Sequence, residues 1–333
     1  MVIVPPAFAA APAPTSISPE LIDAAKQEGT VVFYTSIELL TAEKIGEAFE
    51  KAYPGIKVQV ERNGAERIFQ RLAQERGAGM HTADVVEASD MTALFAWKDQ
   101  GWLAPFVPAD VSRWPTDQRD PDGCFATERF TLSPILYNTK LVKPEDAPKS
   151  FPDLLDPKWD GKMVKAHPGY SGTIMTVTFE ISRDIGWDFF KKLGQQHVMQ
   201  VQSAADPPKK VAQGERAVAA DGGEYVPLQM ISQGAPFALV YPSEGTPSIP
   251  GGAAVMADAP HPNAARLFDL YLFSKDGQGL LVSLARLRSF HPDVPTPEGA
   301  KPLSEIKIMK ADPAAQAKMA EEIKQKYAEY FGL

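Results

Sequence analysis

Strands and helices alternate along the N-terminal third of the chain, and this order constrains the fold more than any other feature of the sequence. Apolar residues dominate three short stretches that predict strands: Thr30–Tyr34, Ile56–Val60 and Ala83–Glu87. Each is followed by a segment with apolar residues at helical spacing. Strands that alternate with helices form parallel sheets covered by helices. The sequence therefore predicts an α/β fold in which ligands bind beyond the carboxyl ends of the strands.

Length, charge and cysteine content narrow the class of protein further. At 333 residues the chain exceeds the size at which one hydrophobic core keeps growing, so we expect two lobes. A net charge of −8 and the absence of a basic stripe argue against nucleic-acid binding. No apolar run reaches the ~18 residues of a membrane span. The single cysteine, Cys124, excludes an intramolecular disulfide and a zinc site built from several cysteines.

The N-terminus resembles a shortened export signal. Met1–Pro5 is a fragment of an apolar stretch, and Ala7-Phe8-Ala9 has the small-x-small pattern that precedes a cleavage point near Ala10. The basic segment that begins such signals is missing, so we expect a truncated signal peptide and a periplasmic protein. An ordinary Ala/Pro-rich tail is the alternative. Residues 11–18 are predicted to be a flexible lead-in.

Residues 238–278 contain a strand, a loop, a second strand, a proline-rich turn and a helix in an order that resembles one known family. The residues that carry the resemblance are Pro242, Glu244, Gly245, Ala259, Pro260, His261, Pro262, Ala264, Ala265, Ser274, Gly277 and Gln278. They are similar to the C-terminal half of periplasmic solute-binding proteins of ABC importers, in the ferric-ion-binding-like group (extracellular solute-binding protein family 1).

This resemblance implies a two-lobed periplasmic-binding-protein (type II) fold, each lobe a mostly parallel sheet flanked by helices and joined by two hinge strands. The strands Leu132–Asn138 and Ala238–Tyr241 match the two crossings between lobes. We therefore expect a lead-in over residues 1–25, lobe one over 26–131 and 242–295, and lobe two over 132–241. A C-terminal helical segment, residues 296–333, is expected to pack on the lobes. Its apolar stripe, Met319, Ile323 and Tyr327, is interpreted as core packing.

The segment Gly169-Tyr170-Ser171-Gly172-Thr173 lacks the final glycine of a nucleophile elbow, but it begins a predicted helix. The unpaired N–H groups and positive dipole end of a helix N-terminus suit an anion. Gly172 allows close approach, and the hydroxyls of Ser171 and Thr173 add donors. An ordinary helix cap is the alternative interpretation. His167, just before this segment, is a candidate for reaching the ligand.

Small polar residues follow every other predicted strand, and a binding cleft needs only a few such groups that converge. Tyr137 lies in the first crossing strand and Glu244 follows the second. The complete set of expected ligand-binding residues is Tyr34, Thr35, Ser36, Asn63, Gly64, Ser89, Asp90, Tyr137, His167, Ser171, Gly172, Thr173, Asp221, Tyr225 and Glu244.

Ferric members of the resembling group bind iron with an adjacent tyrosine pair, a histidine and a glutamate, and this chain departs from that pattern. The tyrosine pair corresponds to Glu224-Tyr225, the histidine to a position near Glu38, and the glutamate to Ser89, with Asp90 next to it. Glu38, Asp90, Glu224 and Tyr225 would be the donor set if a metal were bound. We favour no metal and no cofactor.

The resemblance implies a monomeric solute receptor that closes on its ligand and delivers it to an ABC permease in the inner membrane. Loss of one phenolate, with a hydroxyl-rich cleft and an anion-type helix start, favours a small anionic organic solute of phosphonate, phosphate-ester or carboxylate type. A ferric-ion binding protein is the first alternative, and a neutral solute is the second. A periplasmic enzyme on the same fold is a further alternative, although the sequence contains no recognisable nucleophile and base pair.

Overall fold

The computed structural model describes residues 11–332, in two compact units. The expected export signal and cleavage point at residues 1–10 lie outside the described residues. The first unit consists of the chain up to Phe130 together with Pro250–Pro295, and the second of Thr131–Ile249 together with the chain from Thr296 onward. No described helix combines the length and the apolar character that crossing a membrane requires.

The first unit contains a five-stranded sheet flanked by helices. Its elements are α1 Pro19–Glu28, β1 Thr30–Thr35, α2 Leu39–Ala52, β2 Lys57–Arg62, α3 Ala65–Gly77, β3 Val85–Ala88, α4 Met91–Asp99, β4 Ala126–Leu132, β10 Ser248–Val255, α9 Pro262–Phe273 and α10 Lys275–Ala285. The strand order is β2-β1-β3-β10-β4. Strand β1 pairs in parallel with β2 and β3, whereas β10 pairs antiparallel with β3, so the sheet is mixed.

The second unit contains another five-stranded sheet. Its elements are β5 Ile135–Asn138, β6 Met163–Ala166, α5 Gly172–Asp184, α6 Trp187–Gly194, β7 Met199–Val201, α7 Asp206–Ala212, β8 Val218–Ala219, α8 Tyr225–Ser232, β9 Phe237–Val240 and α11 Pro313–Phe331. The strand order is β7-β6-β8-β5-β9. This sheet is also mixed, because β6 pairs in parallel with β7 and β8, and β5 pairs antiparallel with β8 and β9.

The chain crosses between the units at positions that differ from the expected hinge strands. Strands β5 and β9 both belong to the second unit and pair with each other, Leu136 opposite Leu239. The unit boundaries instead fall inside β4 and β10. Residues 242–249 stay with the second unit because Thr246 exchanges backbone hydrogen bonds with Lys307 and Met309 at 2.8 and 2.9 Å.

Both ends of the described chain pack against other elements, whereas the sequence predicted a flexible lead-in at the first of them. Helix α1 begins inside the predicted lead-in, and Glu28 at its end accepts hydrogen bonds from the backbone N–H groups of Asn263 and Ala264. The C-terminal segment belongs to the second unit, where α11 contacts α5 and α6. Ile323 and Tyr327 are fully buried, which confirms the predicted core stripe.

Each unit has its own hydrophobic core. In the first, the apolar centre of β1 is buried, and Phe33 and Phe49 both pack edge-on against Phe268 of α9. In the second, Phe190 of α6 packs near Tyr327 of α11. These cores hold the ends of the strands in place, and the polar residues after the strands form the candidate site.

Candidate functional site

Glu87 is the centre of a polar cluster at the carboxyl ends of β1 and β3. Its Oε2 accepts hydrogen bonds from the Thr35 hydroxyl at 2.8 Å, from the Ser36 backbone N–H at 2.8 Å and from the Ser36 hydroxyl at 3.0 Å. The backbone N–H of Ser89 in turn donates to Ser36 Oγ at 2.9 Å. Three predicted residues, Thr35, Ser36 and Ser89, are therefore brought together.

The sequence analysis missed the two charged members of this cluster. Glu87 is fully buried, and Arg129 of β4 donates from Nε to its Oε1 at 2.7 Å. Arg129 also donates from Nη2 to Ser36 Oγ at 2.8 Å. Both residues lie inside stretches with the pattern of buried strands. A charged residue at a strand position that should be apolar is the signal that could have found them.

The loop after β2 presents open backbone rather than side chains. Gly64 precedes α3 and offers no side chain to cap it, and a Cβ at this position would meet no atom within 4 Å. The first backbone N–H group of the helix region to be paired is that of Ile68, which donates to Gly64 O at 3.0 Å. Within residues 11–332 the N–H groups of Ala65, Glu66 and Arg67 therefore have no acceptor.

Two of the predicted carboxylates serve as helix caps in the first unit. Asp90 accepts hydrogen bonds from the backbone N–H and the hydroxyl of Thr92, at 2.9 and 2.7 Å, at the start of α4. Glu38 accepts from the backbone N–H of Thr41 at 3.1 Å, at the start of α2. Capping explains both residues without a ligand.

Tyr34 does not contribute to the candidate site, contrary to the expectation. Its side chain is buried, its hydroxyl donates to Glu75 Oε1 of α3 at 2.8 Å, and the Arg71 guanidinium lies 4.4 Å from the ring centre. Burial and the neighbouring carboxylate raise the pKa of this phenol well above its usual range. Alternation along β1 places Tyr34 and Thr35 on opposite faces of the sheet, and only Thr35 joins the Glu87 cluster.

In the second unit, α5 begins where the sequence predicted it, with Ser171 as its N-cap. The Ser171 hydroxyl accepts a long hydrogen bond, 3.4 Å, from the backbone N–H of Ile174, and Ser171 O accepts from Met175 at 2.9 Å. Within residues 11–332 this leaves the N–H groups of Gly172 and Thr173 without an acceptor. Gly172 is partly exposed.

His167 and Tyr170 flank this helix start. The two rings lie 5.1 Å apart, and Tyr170 is 64% exposed, an unusual position for a large aromatic side chain. His167 Nδ1 accepts a hydrogen bond from the backbone N–H of Gly169 at 2.9 Å. Burial, together with the positive charge of Lys165, lowers the pKa of His167, so the ring is neutral at pH 7.

The segment after β8 places its predicted residues in different surroundings. Asp221 is fully buried and forms a 2.6 Å ion pair with Lys165 of β6, so it belongs to the core of the unit and not to the candidate site. Glu224 is also buried and accepts from the Tyr241 hydroxyl at 3.0 Å. Tyr225, the first residue of α8, is partly exposed, and its ring packs against Gly223.

Tyr137 and Glu244 are likewise structural. Tyr137 is a buried member of the main core cluster of the second unit, because its position on β5 faces inward. Glu244 Oε2 accepts a 3.4 Å hydrogen bond from the backbone N–H of Phe151. Of the predicted site residues in the second unit, those that stay partly exposed and outside the core are the start of α5, His167, which lies beside Tyr170, and Tyr225.

Comparison with known proteins places the chain in a family. The sequence model of the bacterial extracellular solute-binding protein family matches residues 35–279. The chain belongs to this family. The Glu87 cluster, the start of α3 and the start of α5 all lie within the matched region.

Solved structures and a curated relative agree with this assignment. The periplasmic binding protein AfuA from Actinobacillus pleuropneumoniae, with exogenous fructose 6-phosphate bound, has a TM-score of 0.83 at 23% identity, over 92% of this chain and 99% of its own. Iron-bound HitA from Pseudomonas aeruginosa has a TM-score of 0.79 at 23% identity, over 91% and 99%.

A candidate 2-aminoethylphosphonate-binding periplasmic protein of Salmonella typhimurium is 27% identical, over 70% of this chain and 68% of the relative. The fold of this solute-binding protein is thus the periplasmic-binding-protein fold, and its family works in transport outside the cytoplasm.

Proposed function

We propose that this solute-binding protein is the periplasmic component of an ABC importer, and that it captures a small anionic organic solute. The solute is of phosphonate, phosphate-ester or carboxylate type, and it is delivered by the monomeric protein to an inner-membrane permease. The observation that carries this proposal is the start of α5, where the N–H groups of Gly172 and Thr173 lack acceptors within residues 11–332. Free N–H groups at a helix N-terminus favour an oxyanion.

Features of the first unit support the same ligand chemistry. The N-terminus of α3, which follows Gly64, offers a second set of backbone N–H groups that have no acceptor among the described residues. Arg129 adds a buried guanidinium that is held in place by Glu87 and Ser36. Planar guanidinium groups and helix N-termini are the usual protein partners of phosphate and carboxylate. A small anion with hydroxyl or amino substituents would use these groups together with the serine hydroxyls.

The names of the similar proteins support an organic anion as the ligand, but one of them names iron. One structure holds fructose 6-phosphate and one relative is named for 2-aminoethylphosphonate, both of which carry a phosphorus oxyanion. Another structure holds iron. In this chain the donors Glu38 and Asp90 act as helix caps, and Glu224 is buried against Tyr241. Binding of Fe³⁺ would require these carboxylates to leave their present partners, which makes iron the second candidate.

Native mass spectrometry of the purified protein would identify a solute that co-purifies with it. Isothermal titration calorimetry with 2-aminoethylphosphonate, fructose 6-phosphate, citrate and a neutral sugar would then rank the ligand classes. We expect at least one anion to bind and the neutral sugar not to bind. A protein that binds only the neutral sugar would contradict the proposal.

The variant Gly172→Val tests the role of the α5 N-terminus directly. A branched side chain at this position blocks the approach of an anion to the free N–H groups. We expect the affinity for the best anion to fall by about 1–3 kcal/mol, the usual value of hydrogen bonds to a charged group. Gly279→Val is the matched control, because a Cβ at Gly279 in α10 would meet no atom within 4 Å. Unchanged affinity in a folded Gly172→Val protein would make this segment an ordinary helix start.

The same preparation distinguishes iron from an organic anion. If the Tyr225 phenolate coordinated Fe³⁺, titration with ferric citrate would produce a visible absorption band that saturates at one iron per chain. We expect no such band. Its appearance in the wild-type protein, and its loss in Tyr225→Phe, would establish the ferric alternative.

A further inference from the structure

A cavity of about 410 Å³ lies within the first unit and is separate from the candidate site. The Glu87 cluster, Gly64 and Asp90 do not line it. Its walls are mostly apolar and come from a long loop, from β4 and β10 and from α9; they include Phe106, Val111, Phe125, Ala254, Val255 and Phe273. A volume of this size matches the lower range of small-molecule pockets, which are typically ~300–1,000 Å³.

The segment that begins at Ala11 closes one side of the cavity. Thr15 exchanges backbone hydrogen bonds of 2.8 Å with Val107 and Ala109, and Ala11 and Pro12 line the cavity. Gly123 allows this close packing: it has a φ of +75°, and a Cβ there would lie 2.7 Å from a Val107 methyl carbon and 3.1 Å from Pro12 Cδ. The cavity is thus a formed part of the unit.

The wall of the cavity carries a buried acid, Asp269. Asp269 of α9 lines the cavity and is 3% exposed, and within residues 11–332 its Oδ1 has no hydrogen-bond partner. Glu128 of β4 is completely buried, and neither of its carboxylate oxygens has a partner in the same part of the chain. Burial raises the pKa of Glu128 well above its usual range and the charge of Glu87 adds to this shift; Arg129 opposes it, and the charge of Asp269 makes a smaller contribution that raises it. A buried polar group without a partner costs about 1–3 kcal/mol, so two together call for an explanation.

Three cations in this part of the unit contact other groups. The Lys98 ammonium lies 2.6 Å from Asp120 and 2.5 Å from Asp122, and Arg129 contacts Glu87 and Ser36. Arg119 also lines the cavity, where its guanidinium donates to the carbonyl oxygen of Ser112 at 3.1 Å. A ligand cation at Asp269 would supply the missing donor, and the aromatic walls would favour its positive charge.

We propose that this cavity is a second ligand site, which takes a small primary amine with an apolar body, its ammonium group against Asp269 and its body against the aromatic walls. Burial raises the pKa of Asp269 to about 8, so without a cation beside it the carboxyl group is mostly protonated at pH 7, and it releases that proton when the ammonium group binds. The proposal does not depend on which solute the candidate site binds.

Calorimetry on the full chain with three probes tests this site; each probe carries a polar group on a short chain attached to a phenyl ring, and the amine and the alcohol are equal in size. The probes are 2-phenylethylamine, 2-phenylethanol and 3-phenylpropionate. We expect the amine to bind at one molecule per chain and roughly tenfold or more tighter than the alcohol, since a hydrogen bond to a charged group is worth about 1.5–3 kcal/mol. The carboxylate should bind weakest. Equal affinities of amine and alcohol would overturn the assignment of the ligand class.

Variants locate the binding. Asp269→Asn should weaken amine binding by roughly tenfold and leave alcohol binding unchanged, and Asp269→Ser provides a second test should the first variant fold poorly. Ala254→Leu should block both probes by filling the cavity. Arg119→Gln is the control for charge and should not weaken binding of the amine. Amine binding that survives both Asp269→Asn and Ala254→Leu would show an adventitious surface site and refute the proposal.

Discussion

Glu180 is a single acid whose environment makes the stability of the protein depend on pH. It lies on α5, where its Oε2 accepts a hydrogen bond of 2.8 Å from the backbone N–H of Ser248. Burial raises the pKa of Glu180 to about 8. The hydrogen bond from Ser248 and the charge of Arg183 oppose this shift, and the charge of Asp184 adds to it. The side chain is therefore mostly neutral at pH 7 in the folded protein and ionised in the unfolded chain.

We expect the contribution of Glu180 to the free energy of unfolding to be complete below its ordinary pKa of 4.5 and to decline as the pH rises to about 8. Above that pH the loss is constant. Glu180→Gln mimics the protonated form, so the free energy of unfolding of this variant should not decline in the same pH range. It should match that of the wild type near pH 5 and exceed it by on the order of a few kcal/mol at pH 9. Urea unfolding at pH 5, 7 and 9 measures this difference, with the exposed Glu43→Gln as control. A difference that does not grow with pH would show that Glu180 is ionised in the folded state.

The elements themselves could be predicted from the sequence, but their partners could not. The strands β1, β2 and β3 and the start of α5 follow from local patterns of apolar and capping residues, and the structure confirms them. The pairing of β5 with β9 depends on contacts between residues about a hundred positions apart, which no local pattern encodes. The same limit applies to the candidate site, since Glu87 and Arg129 are 42 residues apart in sequence.

A buried ion pair links three elements of the second unit. Lys165 of β6 lies 2.6 Å from Asp221, which follows β8, and both side chains are almost completely buried. The ammonium group also lies 4.9 Å from the ring centre of Tyr327 on α11 and 5.6 Å from that of Phe190 on α6. Burial lowers the pKa of Lys165 and raises the pKa of Asp221, while their mutual attraction opposes both shifts.

Replacing one member of this pair should lower the free energy of unfolding more than replacing both. Lys165→Met leaves Asp221 buried without a counter-ion, and we expect a loss of about 3–5 kcal/mol in the free energy of unfolding. The double variant Lys165→Met with Asp221→Leu should recover most of that loss, because two apolar side chains of similar size can pack in the same space. Chemical denaturation of the wild type, both single variants and the double variant measures the coupling. Additive losses would contradict an energetic link between the two residues.

At the scale of the whole molecule, each unit is assembled from two separate segments of the chain. The first unit is complete at Pro295, and the chain from Thr296 onward serves only the second unit. Within the second unit, α11 buries Ile323 against Met175 and Phe179, and it places Tyr327 over the Lys165 ion pair. The last segment should therefore determine the stability of one unit without determining the other.

A chain that ends at Pro295 tests this division. Without α11, apolar surface on α5 and α6 and the Lys165 ion pair are exposed to water, so we expect the second unit to lose its protected structure. The first unit keeps all its strands, including β10 between β3 and β4, and should stay folded. Hydrogen exchange measured by mass spectrometry should show fast exchange in peptides from residues 131–249 and slow exchange in β1 and β3. The full-length variant Glu321→Ala, an exposed change on α11, should behave like the wild type. Loss of protection in both units together would mean that the chain unfolds as one cooperative structure.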